Sequence, residues 1–316
     1  MKFVYVLVCQ GADDYAVQCY LSIWSLRYHN PNAVIVLTID QSTKNSLENQ
    51  YPVLLKSVDE IKIIDVPKDY SVKSRSRFIK TSLRQNIQGD FLYIDSDTVV
   101  TGNLDELQNF NCDVAAVYDL NQDGTGNSFM SEKYHKIGIY DENKFTYFNG
   151  GVFLVKETSK AYDFFKDWHK LWLCNYEKHG IEIDQISLLQ ANYNNNNIIK
   201  ELPGIYNCLI PYRQSIDYLF DAKILHYIAH CTLYSSFPLE DRSIINEVKT
   251  EGVTERVKDI ILNPIKSFIR YNTLLGGETL KIYESHIVLL ARKLSRDYPW
   301  TNKIARLIYK LGGYKI

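Results

Sequence analysis

Asp95 and Asp97 stand one residue apart, between the run Phe91-Leu92-Tyr93-Ile94 and the run Thr98-Val99-Val100. The first run is apolar on both faces and β-prone, which predicts a buried strand. Carboxylates at the end of such a strand are costly to desolvate unless a positive group meets them. Hard divalent cations favour carboxylate oxygens and often share them with substrate phosphates. In an open α/β sheet, ligands collect at the carboxyl ends of the strands. The pair therefore points to a metal–diphosphate site. An Asp-x-Asp tripeptide alone is a weak signal, because a solvated turn uses the same residue types.

Other chemistry-bearing residues lie far away along the chain. His226 sits in the apolar run Ala222 to His230. Such a histidine is commonly a hydrogen-bonded core residue, but imidazole also suits Mn²⁺ or Zn²⁺, which makes His226 a candidate third ligand. Arg77, Lys80 and Arg84 share one face of a helix expected over residues 72–86, directly before the Asp95 strand. That face is either solvated or turned toward a phosphate. Gly150 and Gly151 follow Asn149 at the start of a strand, where paired glycines suggest close approach of a ligand or another backbone. Asp184 and Gln185 open an apolar helix, a position that favours an acid as a cap or through the helix dipole. Asp119-Leu120-Asn121-Gln122-Asp123-Gly124 begins like a calcium loop, yet position twelve is Met130 where a Glu is required. It reads instead as a polar excursion over the ligand edge of the sheet.

The elements that must position these residues alternate. Phe3 to Cys9 is a first buried strand, and Asp14 is placed to cap a helix over residues 15–28. Ala33 to Ile39 and Ile61 to Val66 are further strands. This β-α-β rhythm predicts a parallel sheet with right-handed crossovers. Residues 113–117 and 148–155 add strands, and residues 156–176 and 184–193 add helices.

The ordered set of segments resembles glycosyltransferase family 8, which includes glycogenin and bacterial lipopolysaccharide galactosyl- and glucosyltransferases. The matching motifs are Ala12-Asp13-Asp14-Tyr15-Ala16, Tyr93-Ile94-Asp95-Ser96-Asp97, Phe148-Asn149-Gly150-Gly151-Val152 and Asp184-Gln185. Leu202-Pro203 to Tyr206-Asn207 and Ile224-Leu225-His226-Tyr227 agree as well. The resemblance covers about residues 1–235. It implies an α/β GT-A fold, a single Rossmann-like nucleotide-sugar-binding domain, over residues 1–240; from about Asp241 the motifs stop, and the residues themselves read as a helical basic extension over 241–316. It implies retaining hexose transfer from a nucleotide sugar, UDP-glucose or UDP-galactose, with Mn²⁺ or Mg²⁺ held by Asp95, Asp97 and His226. Asp13, Tyr15, Arg77, Lys80, Ser96, Asn149 and Gly150 would bind the donor, Tyr15 by stacking on the base. Asp184 and Gln185 would lie by the anomeric carbon. The family often places a Gly and then Lys-Pro-Trp after its histidine, where this chain has Ala229-His230-Cys231-Thr232-Leu233-Tyr234. The phosphate-gripping lysine is therefore absent, and His230 or the Arg77 helix is the expected substitute.

Bulk properties agree with a globular enzyme. The 316 residues are 46% hydrophobic and 23% charged, enough to bury a sizeable core. The six scattered cysteines form no C-x-x-C pair, which points to a reduced, cytoplasmic setting. The short apolar start, Met1 to Val8, leads into Asp13-Asp14 and reads as a core strand rather than a leader. The net charge of −1 hides an asymmetry, because residues 261–316 carry ten Lys or Arg against three Asp or Glu. Helices are expected over 243–262, 264–275, 280–296 and 301–311. Their basic apolar faces suit either packing on the sheet domain or peripheral contact with an anionic membrane, where the acceptor would be a glycan or lipid-linked glycan. Nucleic acid is not an expected partner, since the body is acidic. Two other readings use the same site: a nucleotide-sugar hydrolase or pyrophosphatase, and a non-catalytic sugar-nucleotide-binding protein.

Overall fold

The structure is a computed structural model. It describes residues 1–122, 124, 131–141, 144–228 and 237–264, with scattered positions between 285 and 301. The chain divides into two compact units, Met1–Ser267 and Phe268–Ile316.

The first unit is built on a mixed sheet. Its strands are β1 (Lys2–Val6), β2 (Val34–Ile39), β3 (Glu60–Ile63), β4 (Phe91–Ile94), β6 (Val114–Tyr118), β7 (Phe148–Val155) and β8 (Ile199–Glu201), in the order β3-β2-β1-β4-β7-β6-β8. The strands β1 to β4 pair parallel, as the alternation of strand and helix requires. From there the sheet turns mixed: β7 runs antiparallel to both β4 and β6. A small second sheet, in the order β5-β10-β9, joins β5 (Thr98–Val100), β9 (Cys208–Leu209) and β10 (Ile224–His226).

Helix α1 (Asp14–His29) is apolar enough to bury Val17, Cys19, Leu21, Ile23 and Leu26. Its cap is Asp13, not Asp14: Asp13 Oδ1 accepts from the Ala16 amide at 3.0 Å and Oδ2 from the Gln10 amide at 3.0 Å. Two short helices that sequence periodicity did not reveal, α2 (Gln41–Gln50) and α3 (Pro52–Lys56), precede β3. The helix expected over 72–86 is two, α4 (Val72–Thr81) and α5 (Leu83–Asn86), separated at Ser82. Helix α6 (Ser131–Lys136) follows β6. Helices α7 (Ser159–His179) and α8 (Asp184–Asn194) pack on each other, and α8 packs on β7. There Phe91, Tyr93, Phe153, Phe164, Phe165 and Trp168 belong to one hydrophobic core.

The basic face before β4 divides by depth. Arg84 is fully buried and donates to the carbonyls of Gly89, at 2.8 Å, and Ile87, with its guanidinium over the rings of Phe91 and Tyr162. It is neither solvated nor available to a phosphate. The helix expected over 243–262 is broken into α9 (Arg242–Glu251) and α10 (Glu255–Leu262). Gly252 adopts φ 77°, a left-handed conformation that suits glycine, and Thr254 caps the second helix. Both helices pack on α1. The helices expected over 264–275, 280–296 and 301–311 fall largely outside the described residues. Among the described residues, no helix is long and apolar enough to cross a membrane, and Cys9, Cys19, Cys112 and Cys174 are free thiols.

His169 on α7 sits between Phe78 and Trp172, with Nδ1 2.7 Å from the Thr81 hydroxyl. Burial pushes its pKa down from 6.5 to about 4. Between those values the unfolded ring binds a proton that the folded ring refuses, so stability falls as pH drops through this window. Thermal unfolding measured from neutral to acid pH should show that loss, and His169→Gln should flatten the slope over the same interval.

Candidate active site

The geometry follows from one strand pairing. After Ile94 the chain leaves the large sheet, passes through Asp95-Ser96-Asp97 and re-enters the small sheet as β5. There Thr98 pairs with His226 of the antiparallel β10, and the Tyr227 amide donates to the Asp97 carbonyl at 3.1 Å. Serines of α1 hold β5 in place: Ser22 Oγ is 2.7 Å from Thr98 Oγ1, and Ser25 Oγ accepts from the Val100 amide at 2.9 Å. The Asp95 amide donates to the Gly151 carbonyl at 2.8 Å, which ties the carboxylate pair to β7.

Asp95, Asp97 and His226 consequently converge, each offering a ligand atom within 4.8 Å of the others. His226 Nε2 lies 3.3 Å from Asp97 Oδ1. Burial lowers the pKa of this imidazole, but the carboxylates of Asp97 and Asp95 outweigh it and hold the pKa above the ordinary histidine value. Two carboxylate oxygens suit a hard divalent cation that also takes phosphate oxygens, and the imidazole nitrogen favours Mn²⁺ over Mg²⁺, so the donor set fits a divalent cation.

Behind Asp95 lies a charge-balanced pocket. Lys80 is buried, with Nζ 3.3 Å and 3.4 Å from the two oxygens of Asp95 and 3.4 Å from Asp184 Oδ2, above the faces of Tyr93 and Phe153. The Tyr93 hydroxyl donates to Asp95 Oδ1. Arg77 Nε stands 3.1 Å from Asp184 Oδ1. Burial would raise the pKa of Asp184, but the cations of Lys80 and Arg77 overcome it and hold the carboxyl below its usual range. Asp184 thus faces two cations from the first turn of α8, and Gln185 follows it, partly exposed.

Asn149 links the two halves. Its Oδ1 accepts from the Gly151 amide at 2.8 Å and from Asn207 Nδ2 at 2.9 Å, and its Nδ2 donates to Asp119 Oδ1 at 3.1 Å. Asn207 Oδ1 faces His226 Nδ1 at 2.9 Å. Asp119 and Asn207 are the site neighbours that sequence reasoning missed. The only hint was their placement, one at the end of a strand and one inside the Leu202-to-Asn207 motif. The calcium-like loop is accounted for at its start. Asp119 serves Asn149, while Asn121 accepts from the Leu209 amide at 2.7 Å and donates to the Asn207 carbonyl at 3.0 Å. Residues 123 and 125–130 lie outside the description, as do Ala229 and His230 through Ser236, so the expected phosphate contact by His230 is not described.

The remaining expected residues are placed nearby to different degrees. Tyr15 on the first turn of α1 is 47% exposed. Burial raises the pKa of its hydroxyl, and the Asp97 charge adds to that rise. Ser96 lies within hydrogen-bonding influence of the buried Cys19 thiol. Asp13 is occupied as the α1 cap.

The chain belongs to glycosyltransferase family 8: the model described as "Glycosyl transferase family 8" matches residues 6–231. The protein is accordingly a glycosyltransferase of GT-A fold. Among solved structures it is similar to the glycosyltransferase GlyE of Streptococcus pneumoniae TIGR4, with 20% identity over 85% of this chain and 65% of that one and a TM-score of 0.52. It is also similar to the apo bifunctional glycosyltransferase WbbM, with 18% identity over 73% of this chain and a TM-score of 0.51. The match spans 46% of the length of WbbM. At these identities the likeness concerns the fold. No curated protein matches the chain.

The two glycines of the motif differ in steric need. A Cβ at Gly151 would lie 2.4 Å from His226 Cε1 and 2.6 Å from Nδ1, whereas one at Gly150 would meet Lys80 Nζ at 3.6 Å, ordinary contact. Gly151→Ala should cost roughly 1–3 kcal/mol of stability, as overpacking does. Gly150→Ala should leave the melting temperature near that of the parent. Equal melting temperatures for the two variants would contradict this account.

Proposed function

We infer that this glycosyltransferase moves a hexose from a nucleotide sugar, UDP-glucose or UDP-galactose, to a glycan with retention of anomeric configuration. The acceptor class is a lipopolysaccharide, capsule or other surface polysaccharide, met at the cytoplasmic side. The convergence of Asp95, Asp97 and His226 beside the Lys80–Asp184 pocket carries this reading. A divalent cation held by those three residues would neutralise charge on the donor diphosphate. Tyr15 stacks on the base, with Asp13 and Ser96 bordering the nucleotide. Arg77, Lys80, Asn149 and Gly150 face the donor sugar.

Breaking the bond from the anomeric carbon to the diphosphate leaves an oxocarbenium-like sugar. The acceptor hydroxyl attacks from the same face, and its proton passes to the departing diphosphate oxygen. Asp184 is neutralised by Arg77 and Lys80, which makes it a poor nucleophile and a good anchor for those cations. Gln185 offers a carboxamide oxygen to the cationic sugar. Residues 1–240 carry this chemistry, and the basic residues 241–316 make peripheral contact with an anionic membrane. Co-sedimentation of the full chain with phosphatidylglycerol vesicles is the expected result. Its absence would remove the membrane contact.

Incubation with UDP-sugars and Mn²⁺, followed by product analysis, tests the central claim. Sugar transferred to a glycan is the expected product; free sugar alone would mean a hydrolase. Gln185→Ala should lower kcat at least about tenfold, the scale of a lost transition-state contact, with little change in donor KM. An unchanged kcat would end that role for Gln185.

A further inference from the structure

Asn207 is fully buried, and nothing about donor binding or transfer requires it to touch substrate. Its amide is nevertheless the middle member of a polar chain whose direction can be read from one end. The Gly151 backbone N–H can only donate, so the Asn149 atom that it meets at 2.8 Å is the acceptor Oδ1. The opposite end of the Asn149 amide then donates to the Asp119 carboxylate, at 3.1 Å. The Asn207 atom 2.9 Å from Asn149 Oδ1 must in turn be a donor, Nδ2. That leaves Asn207 Oδ1 facing His226 Nδ1 at 2.9 Å, and an oxygen there accepts only if Nδ1 carries the proton.

We propose that Asn207 is a positioning residue: the relay Gly151–Asn149–Asn207 forces the neutral His226 ring into the Nδ1–H tautomer and aims the Nε2 lone pair at Asp97 and Asp95. A histidine ligand is tuned by the bond its other nitrogen makes, and loss of such a partner typically weakens metal binding 10–100-fold. The register of the small sheet supports the alignment, since Leu209, two residues after Asn207, pairs with His226. The Asn207 carbonyl is itself held by Asn121 at 3.0 Å. The same amide joins the cation ligand to Asn149, so ligand set and sugar contact are oriented by one side chain. The consequence for the cation rests on the metal-dependent reading above; the tautomer does not.

The decisive measurement is the two-bond ¹H–¹⁵N spectrum of the metal-free wild-type chain at alkaline pH, with His226 assigned by comparison with His226→Gln. The Nδ1–H pattern is expected for His226, and an Nε2–H pattern overturns the proposal whether or not any variant folds. Mn²⁺ titration followed by electron paramagnetic resonance, without donor present, adds a second reading. Asn207→Leu, of similar shape but without polar atoms, should bind Mn²⁺ about 10–100-fold more weakly. Asn207→Asp keeps an acceptor for His226 but loses the donor to Asn149, so it should hold Mn²⁺ at least as tightly as the parent while raising donor KM. Wild-type affinity in a folded Asn207→Leu variant overturns the proposal. Failure of the wild type to bind Mn²⁺, with the Nδ1–H pattern present, upholds the tautomer and counts instead against the metal-dependent transferase.

Discussion

Three carboxylates, Asp95, Asp97 and Asp184, gather where β4 leaves the core, and their mutual repulsion must be balanced inside a largely buried site. Lys80 does this for Asp95 and Asp184, with its ammonium set between them and over two aromatic faces. Arg77 completes the balance at Asp184, and His226 meets Asp97. A lone buried charge costs several kcal/mol, so each of these side chains holds its neighbours in one arrangement. The half containing Lys80 is internally neutralised. The half formed by Asp97 and His226 supplies two of the three candidate cation ligands.

That division gives the site its polarity. Asp95 belongs to both halves: it accepts from Tyr93 and Lys80 behind, and it stands beside Asp97 and His226 in front. A cation held there, as proposed, would meet a carboxylate whose orientation Tyr93 and Lys80 already set. Preorganisation of this kind reduces the rearrangement needed when charge develops on a leaving group. Gly151 makes it possible sterically, because the His226 ring occupies the space a side chain there would fill.

Much of this was legible along the chain. The apolar run into Asp95 and Asp97, the helix opening at Asp184 and the strand starting at Phe148 were all marked by local composition, and each element formed there. The basic helix before β4 was harder to read. Periodicity put Arg77, Lys80 and Arg84 on one face, but the break at Ser82 sends Arg84 into the core while Lys80 reaches the site. Spacing along an ideal helix carries no information about such a break. The same holds near residue 252, where one expected helix became two around a glycine with positive φ.

The sequence by itself determined the alternating architecture, the family and the identity of the acids and the imidazole, because those depend on residue type and local order. Only the tertiary structure decided that Thr98 pairs with His226, that Lys80 sits between two carboxylates, and that Asn149 and Asn207 link Asp119 to the imidazole. These contacts join residues distant along the chain, through strand register and the direction of single hydrogen bonds, and neither leaves a periodic trace in composition.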